Sequence, residues 1–260
     1  MSAFRAALIG FLLLLAAAAQ AAGPDCSRPF TLALHDHGLL YSSDTGSGID
    51  KDFADELIRR SGCKINVSVL PRARIWQLIE SGALDFSLSG INNPERERFA
   101  AFAWYFSNKY YLLVRKDSNV AKLVDFEHFP ALQLGVIRSF RYSSSANALL
   151  DRLSDGRRVS YASGLDPLYQ LLLANRIQAM IIEPFDYPVI AAENIRAATL
   201  IFEFGDAPVP HGLIMSKAVL APAEQEKWRV LVDTMRADGT VQQIFEKYFR
   251  PELARTLVNF

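Results

Sequence analysis

Two consecutive α/β units, each a mainly parallel sheet flanked by helices and facing each other as two lobes, are the fold class this sequence predicts. Three observations predict it. Short apolar or alternating runs of strand length alternate with amphipathic stretches of helical length. The order strand, helix, strand, helix, strand occurs twice along the chain, the pattern of parallel sheets with covering helices. Glycines close the helical stretches of the first unit, where a left-handed stop is needed.

Each element follows from its own residues. Thr31 to His35 reads as a strand, and a Gly/Ser/Asp loop, SSDTGSG, follows it. IDKDFADELIRRSG sets Phe53, Leu57 and Ile58 at helical spacing and stops at Gly62. KINVSVL alternates as a strand. RARIWQLIESG repeats Ile75, Leu78 and Ile79 on one face and stops at Gly82, and LDFSLSGI is a third strand. INNPERERFAAFAWYF turns at Asn92-Asn93-Pro94 and opens a helix carrying Arg96 and Arg98, with Tyr105 and Phe106 beyond it.

The second unit begins with YYLLVRK and LQLGVIRS as strands. YSSSANALLDRL is a helix with Leu149, Leu150 and Leu153 inward, and VSYAS is a strand. Asp166-Pro167 reads as an N-cap and first-turn proline opening the helix LYQLLLA, with Asn175 as its stop. IQAMIIE and HGLIMSK are strands. Two helices end the chain, one striped by Trp228, Leu231, Val232 and Met235, the other by Ile244, Phe245, Tyr248 and Phe249.

The first residues are an address rather than fold. Met1 to Arg5 is a short basic start, AALIGFLLLLAAAA an apolar core, and Ala19-Gln20-Ala21 a small-x-small cleavage site. This reads as a secretory signal peptide over residues 1–21, with the mature chain starting near Ala22 in the periplasm. Acidic and basic residues balance at 28 each, so no polyanionic partner such as nucleic acid is implied. Export permits a disulfide, and Cys26 and Cys63 each precede a strand. If those strands are parallel neighbours, both thiols lie at one sheet end, and a Cys26–Cys63 bridge is expected, two separate buried thiols being the alternative.

Several motifs together resemble one family. GIDKDFADELIRRSG is similar to the Gly-aromatic-Asp-x-Asp helix start of the type II periplasmic solute-binding proteins of the polar amino-acid class, solute-binding protein family 3. SGALDFSLSGI is similar to their Gly-x-x-Asp strand, NNPERERFAAFA to their Thr-Pro-Glu-Arg turn and the helix after it, YYLLVRK to their crossover strand, and ADGTVQQIFEKYF to their terminal helix. The matches cover nearly the whole mature chain. The resemblance implies a first lobe from residues 22–111 and 210–260 and an inserted second lobe from 112–209. It implies a monomer that closes over a small polar solute, an amino acid or related carboxylate, and hands it to an inner-membrane ABC permease without any cofactor.

The resemblance also assigns residues. Arg96 matches the arginine that forks onto the ligand carboxylate, a planar donor suited to two parallel charge-assisted bonds. Ser89, Gly90 and Asn93 belong to the same strand end and turn, with Asn93 where threonine is usual. Glu183, one methylene longer than the family's aspartate, matches the acceptor of the ligand ammonium. In LPRARIW, Arg74 matches the family's basic residue, and Arg72 stands near the aromatic position as an extra arginine that favours a more anionic solute. Ser139 and Phe140 stand where Gly-Thr is usual. His37 or Tyr41 is expected to line the cleft. His35 and His37 share a face with Asp36 opposite, but no further residue with ligand spacing surrounds them, so no metal is expected.

No nucleophile motif, phosphate loop or dinucleotide fingerprint is present. Two other readings stay open at the level of sequence: a cleft enzyme of the same fold, resembling periplasmic cyclohexadienyl dehydratases with Glu183 as general acid, and a ligand-sensing or accessory module for a membrane partner.

Overall fold

The computed structural model describes residues 23–260; the expected signal segment falls outside them. In chain order the elements are β1 (Phe30–Leu34), α1 (Ile49–Ser61), β2 (Ile65–Val69), α2 (Arg72–Ser81), β3 (Phe86–Gly90), β4 (Ala100–Asn108), β5 (Tyr111–Arg115), α3 (Asp125–His128), β6 (Leu134–Ile137), α4 (Ser144–Asp155), β7 (Val159–Ala162), α5 (Leu165–Leu173), β8 (Ala179–Ile182), α6 (Tyr187–Ile190), α7 (Glu193–Ala198), β9 (Thr199–Glu203), β10 (Val209–Ser216), α8 (Pro222–Ala237), α9 (Thr240–Glu246) and α10 (Pro251–Val258). No helix among the described residues is long and apolar enough to cross a membrane.

These strands make two five-stranded sheets, ordered β2-β1-β3-β10-β4 and β7-β6-β8-β5-β9. Each sheet is parallel at one side and antiparallel at the other. In the first, β1 pairs parallel with β2 and β3, while β10 runs antiparallel to β3 and β4. In the second, β6 pairs parallel with β7 and β8, while β5 runs antiparallel to β8 and β9. The chain passes between sheets twice, from β4 to β5 and from β9 back to β10. The parallel strands β1, β3, β6 and β8 all end toward the junction of the two lobes, where α/β sheets place their ligands.

Helices cover each sheet because the strands carry apolar residues on both faces. On one face of the first sheet, Trp228 of α8 is fully buried, its ring 4.7 Å from Phe86 and 5.3 Å from Phe30. On the other face, Ile75, Trp76 and Ile79 of α2 pack with Ala100, Phe102 and Ile214.

The structure adds β9 and the short helices α3, α6 and α7 to the elements expected from sequence, and it departs from that expectation at three further points. FAAFAWYF is not helix: Arg96–Arg98 is one 3-10 turn, and β4 begins at Ala100. The run is apolar on both of its period-2 faces. Ala101, Ala103 and Tyr105 join one core and Ala100 and Phe102 the other, which suits a doubly covered strand. Helix α5 starts at Leu165 after Gly164, so Asp166 and Pro167 lie within its first turn rather than capping it. Proline is tolerated there because first-turn N–H groups have no intrahelical partner. A third terminal helix, α10, opens with Pro251 at its first position. Asn175 stands just past α5 in the left-handed region, φ 55°.

Cys26 and Cys63 form a disulfide, with Cα atoms 4.9 Å apart at the shared end of β1 and β2. It closes a span of 37 residues. On the chain-entropy account, Cys63→Ser is expected to lower unfolding stability by about 3–4 kcal/mol. Denaturant unfolding of wild type and variant measures this, and an unchanged midpoint contradicts it.

Candidate functional site

The strand ends bring named side chains together. Arg96 opens the 3-10 turn after β3, and its backbone N–H donates to Asn93 Oδ1 at 2.8 Å, so Asn93 caps the turn. The Arg96 guanidinium is 7% exposed. Its Nη1 donates to the Ile91 carbonyl at 3.0 Å and its Nη2 to the Ser139 carbonyl, on the other lobe, at 2.8 Å. It stacks on the Trp76 ring, 4.0 Å from the centroid. Burial, with Arg72 and Arg141 nearby, lowers its pKa to about 9.

Glu183 follows β8 and is 4% exposed. Its Oε1 lies 2.6 Å from His37 Nε2, and its Oε2 accepts from Asn108 Nδ2 at 3.0 Å. His37 and Asn108 belong to the first sheet's lobe, so this carboxylate ties the lobes together. Burial alone would push Glu183 upward; the His37 contact and the Asn108 amide outweigh it and hold the carboxyl below its ordinary range. His37, 3% exposed, is held above the ordinary histidine range: burial opposes its charge, but Glu183 and Asp186 favour it. Both shifts describe one ion pair seen from its two ends. Asp186, which accepts from the Glu183 N–H at 3.0 Å, is pushed up to about 7 by burial.

Arg72 is the first residue of α2 and only 5% exposed. Its Nη1 donates to the Leu88 carbonyl at 3.0 Å, and its guanidinium lies 5.6 Å from the Phe140 ring centroid. Phe140 in turn packs on His35 and His37, with centroids 5.4 and 5.2 Å apart. Ser89 and Gly90 line the same space. Ser89 is turned toward its own lobe, however, its hydroxyl donating to Asp50 Oδ1 at 2.6 Å and its N–H to Tyr105 Oη at 2.9 Å. Burial raises Asp50 to about 6. At Gly90 a Cβ would lie 2.3 Å from Ile214 Cγ1, so a larger residue requires the Ile214 side chain to shift. Ser89 and Ser139 both hold left-handed backbone, φ 52° and 62°, at the strand ends that face the cleft.

Of the residues singled out from sequence, Arg72, Ser89, Gly90, Arg96, Ser139 and Glu183 surround one space of about 20 Å³, the room of roughly a single water. His37 reaches it through Glu183, and Asn93 through the turn it caps. Two residues stand apart. Arg74 is exposed, its Nη1 directed at Gln77 Oε1 3.4 Å away. Tyr41 packs into the core of its lobe. The inward arginine of α2 is Arg72 and not Arg74, because Arg72 lies three, four and seven residues before the buried Ile75, Trp76 and Ile79. Sequence reading also passed over Trp76, Tyr110, Arg141 and His211, which line the space, and Asn108 and Asp50, which hold its walls.

The arrangement is chemically lopsided. Three guanidinium groups, Arg72, Arg96 and Arg141, line the space, and Glu183 is the one carboxylate among its lining residues. Neither Arg72 nor Arg96 pairs with a carboxylate among the described residues. Such a site attracts an anion and can hold it by charge-assisted bonds. Among the described residues no group of three or more histidine, cysteine or acidic side chains is arranged to hold a metal ion.

Residues 29–251 match the family model of the bacterial extracellular solute-binding proteins, family 3. A comparison with curated proteins finds no match. Among solved structures, an ancestral arginine-binding protein bound to arginine is 21% identical with a TM-score of 0.72, over 86% of this chain and 100% of that one. The arginine-, lysine-, histidine-binding protein ArtJ from Geobacillus stearothermophilus is 18% identical with a TM-score of 0.72, over 85% and 95%. A histidine kinase sensor domain with similarity to periplasmic binding proteins is 15% identical with a TM-score of 0.71, over 86% and 96%. These likenesses establish the two-lobe fold, and with the family match over most of the chain, this protein belongs to the bacterial extracellular solute-binding proteins, family 3.

Proposed function

We propose that this protein captures a small polar solute bearing a carboxylate, an amino acid or a close relative, between its two lobes. It works in the periplasm as a monomer and presents the closed, loaded form to an inner-membrane ABC permease. The observation that carries this reading is Arg96: a nearly buried guanidinium at the cleft, paired only with backbone carbonyls from both lobes. A solute carboxylate takes over those donors and bridges the lobes in their place. The solved relatives bound to arginine and to glutamine support an amino-acid-sized guest. Closure bends at the two crossings between sheets, near residues 109–110 and 204–208, and the solute supplies the differential affinity that favours the closed state.

Glu183 is not suited to the general-acid role that an enzyme reading would give it. A general acid must hold a proton near working pH, whereas Glu183 is kept ionised by His37 and Asn108. Prephenate and arogenate are expected to pass unchanged.

A thermal-shift screen of amino acids, opines, small dicarboxylates and polyamines tests the proposal. A carboxylate-bearing solute is expected to raise the midpoint, with a gain of about 2.7 kcal/mol at a hundredfold excess over Kd. Stabilisation by polyamines alone contradicts it.

A further inference from the structure

We infer that the solute carries two acidic groups, a short dicarboxylate whose second acid seats on Arg72, and that it needs no ammonium group. The inference rests on the proposed carboxylate capture at Arg96 and deepens it.

The first observation is Arg72 itself. It is 5% exposed, and the Leu88 carbonyl is its one hydrogen-bond partner among the described residues. Removing a guanidinium from water is costly unless a counter-charge meets it. Asp50 and Glu183 stand near enough to favour its charge, but Asp50 is bound to the hydroxyls of Ser89 and Tyr105, and Glu183 to His37 and Asn108. Arg96, on the same space, likewise has no carboxylate partner among the described residues, and the two cations repel each other. A monocarboxylate answers one of them and leaves the other buried and unmatched. A dicarboxylate answers both.

The second observation is Glu183. Both of its oxygens are already engaged, one by His37 at 2.6 Å and one by Asn108 at 3.0 Å. An ammonium group would have to break one of these contacts while entering a space lined by three arginines. Glu183 thus works as a clamp between lobes rather than as a seat for an amine. Arg141, from the second lobe and 42% exposed, stands at the mouth, 3.7 Å from the exposed Asp151 carboxylate.

Calorimetric titration of the mature protein with succinate and glutarate, with the monoamide of each, and with L-glutamate and L-glutamine tests this. One of the two dicarboxylates is expected to bind about tenfold or more tightly than its monoamide, and at least as tightly as L-glutamate. Arg72→Gln is expected to weaken the dicarboxylate by about 10–100-fold and the monoamide by less than about twofold, and Arg72→Lys to restore part of the loss. Equal affinity for acid and monoamide, or an equal loss of both in Arg72→Gln, overturns the second acidic seat but leaves capture at Arg96 standing. L-glutamate binding more tightly than glutarate overturns the claim that no ammonium is needed. Absence of binding by every carboxylate overturns both this inference and the proposed function. If Arg72→Gln does not fold, the Arg72→Lys variant and the acid-to-monoamide ratio in wild type decide the question.

Discussion

Arg96→Ala is expected to weaken binding of any carboxylate solute by about a hundredfold or more, near 2.7 kcal/mol, while the melting temperature of the unliganded protein moves by only a few degrees. Two arguments give this split. In the loaded form the guanidinium makes two parallel charge-assisted bonds to one carboxylate, and truncation leaves that anion buried without a partner. In the unliganded form Arg96 donates to two backbone carbonyls and lies on Trp76, but it is also a buried cation beside Arg72 and Arg141. Losing the bonds and losing the repulsion act in opposite directions. Arg96→Lys keeps the charge without the fork and should fall between the two. Calorimetry with the solute from the thermal-shift screen, alongside melting curves, measures both halves; an alanine variant that binds as tightly as wild type removes the carboxylate role.

The second large effect lies at Glu183. Glu183→Ala leaves His37 and the Asn108 amide buried without their acceptor, which is expected to cost the closed form on the order of 3 kcal/mol. The effect has a pH signature. His37 is raised in the folded protein, so its contribution is complete below its ordinary value of 6.5 and is lost as pH rises through the raised one. Glu183 is lowered, so its contribution is complete above its ordinary value of 4.5 and is lost as pH falls through the depressed one. The pair is therefore at full strength between about pH 4.5 and 6.5 and fades on both sides. Asp186, raised to about 7 beside the pair, keeps its proton in the folded protein where the unfolded chain has lost it, so its burial cost accrues as pH rises from its ordinary value of 3.8 to about 7 and tilts the window downward toward its alkaline end. Arg72 and the buried His211 also face this cluster and disfavour further positive charge. Melting temperature of wild type minus that of Glu183→Gln, followed from pH 4 to 9, should trace a dome over that window. A flat difference contradicts the clamp.

Sequence and structure agree where the signal is local. Helices α1, α2 and α4 declare themselves through apolar spacing and glycine or N-terminal chemistry, and the parallel strands through alternation or continuous apolar runs. Strand β4 was hidden because its alanines suit helix and strand alike, and only the two covered faces of the folded sheet decide between them. Both Arg72 and Arg74 are candidates from the family motif, and helix phase separates them: Arg72 is in phase with the buried stripe of its helix and Arg74 is not. The contacts of Glu183 were not legible at all. His37 and Asn108 lie 146 and 75 residues away, and no period links them; only the meeting of strand ends from two lobes does. The sequence therefore read Glu183 as a seat for an ammonium, and the geometry gives it a different engagement.

A crystal structure of the protein with the stabilising solute bound bears most directly on these claims. One solute carboxylate is expected within about 2.7–2.9 Å of the Arg96 guanidinium, between lobes that both contact the guest. A guest seated away from Arg96, or held by one lobe with the other swung clear, contradicts the account.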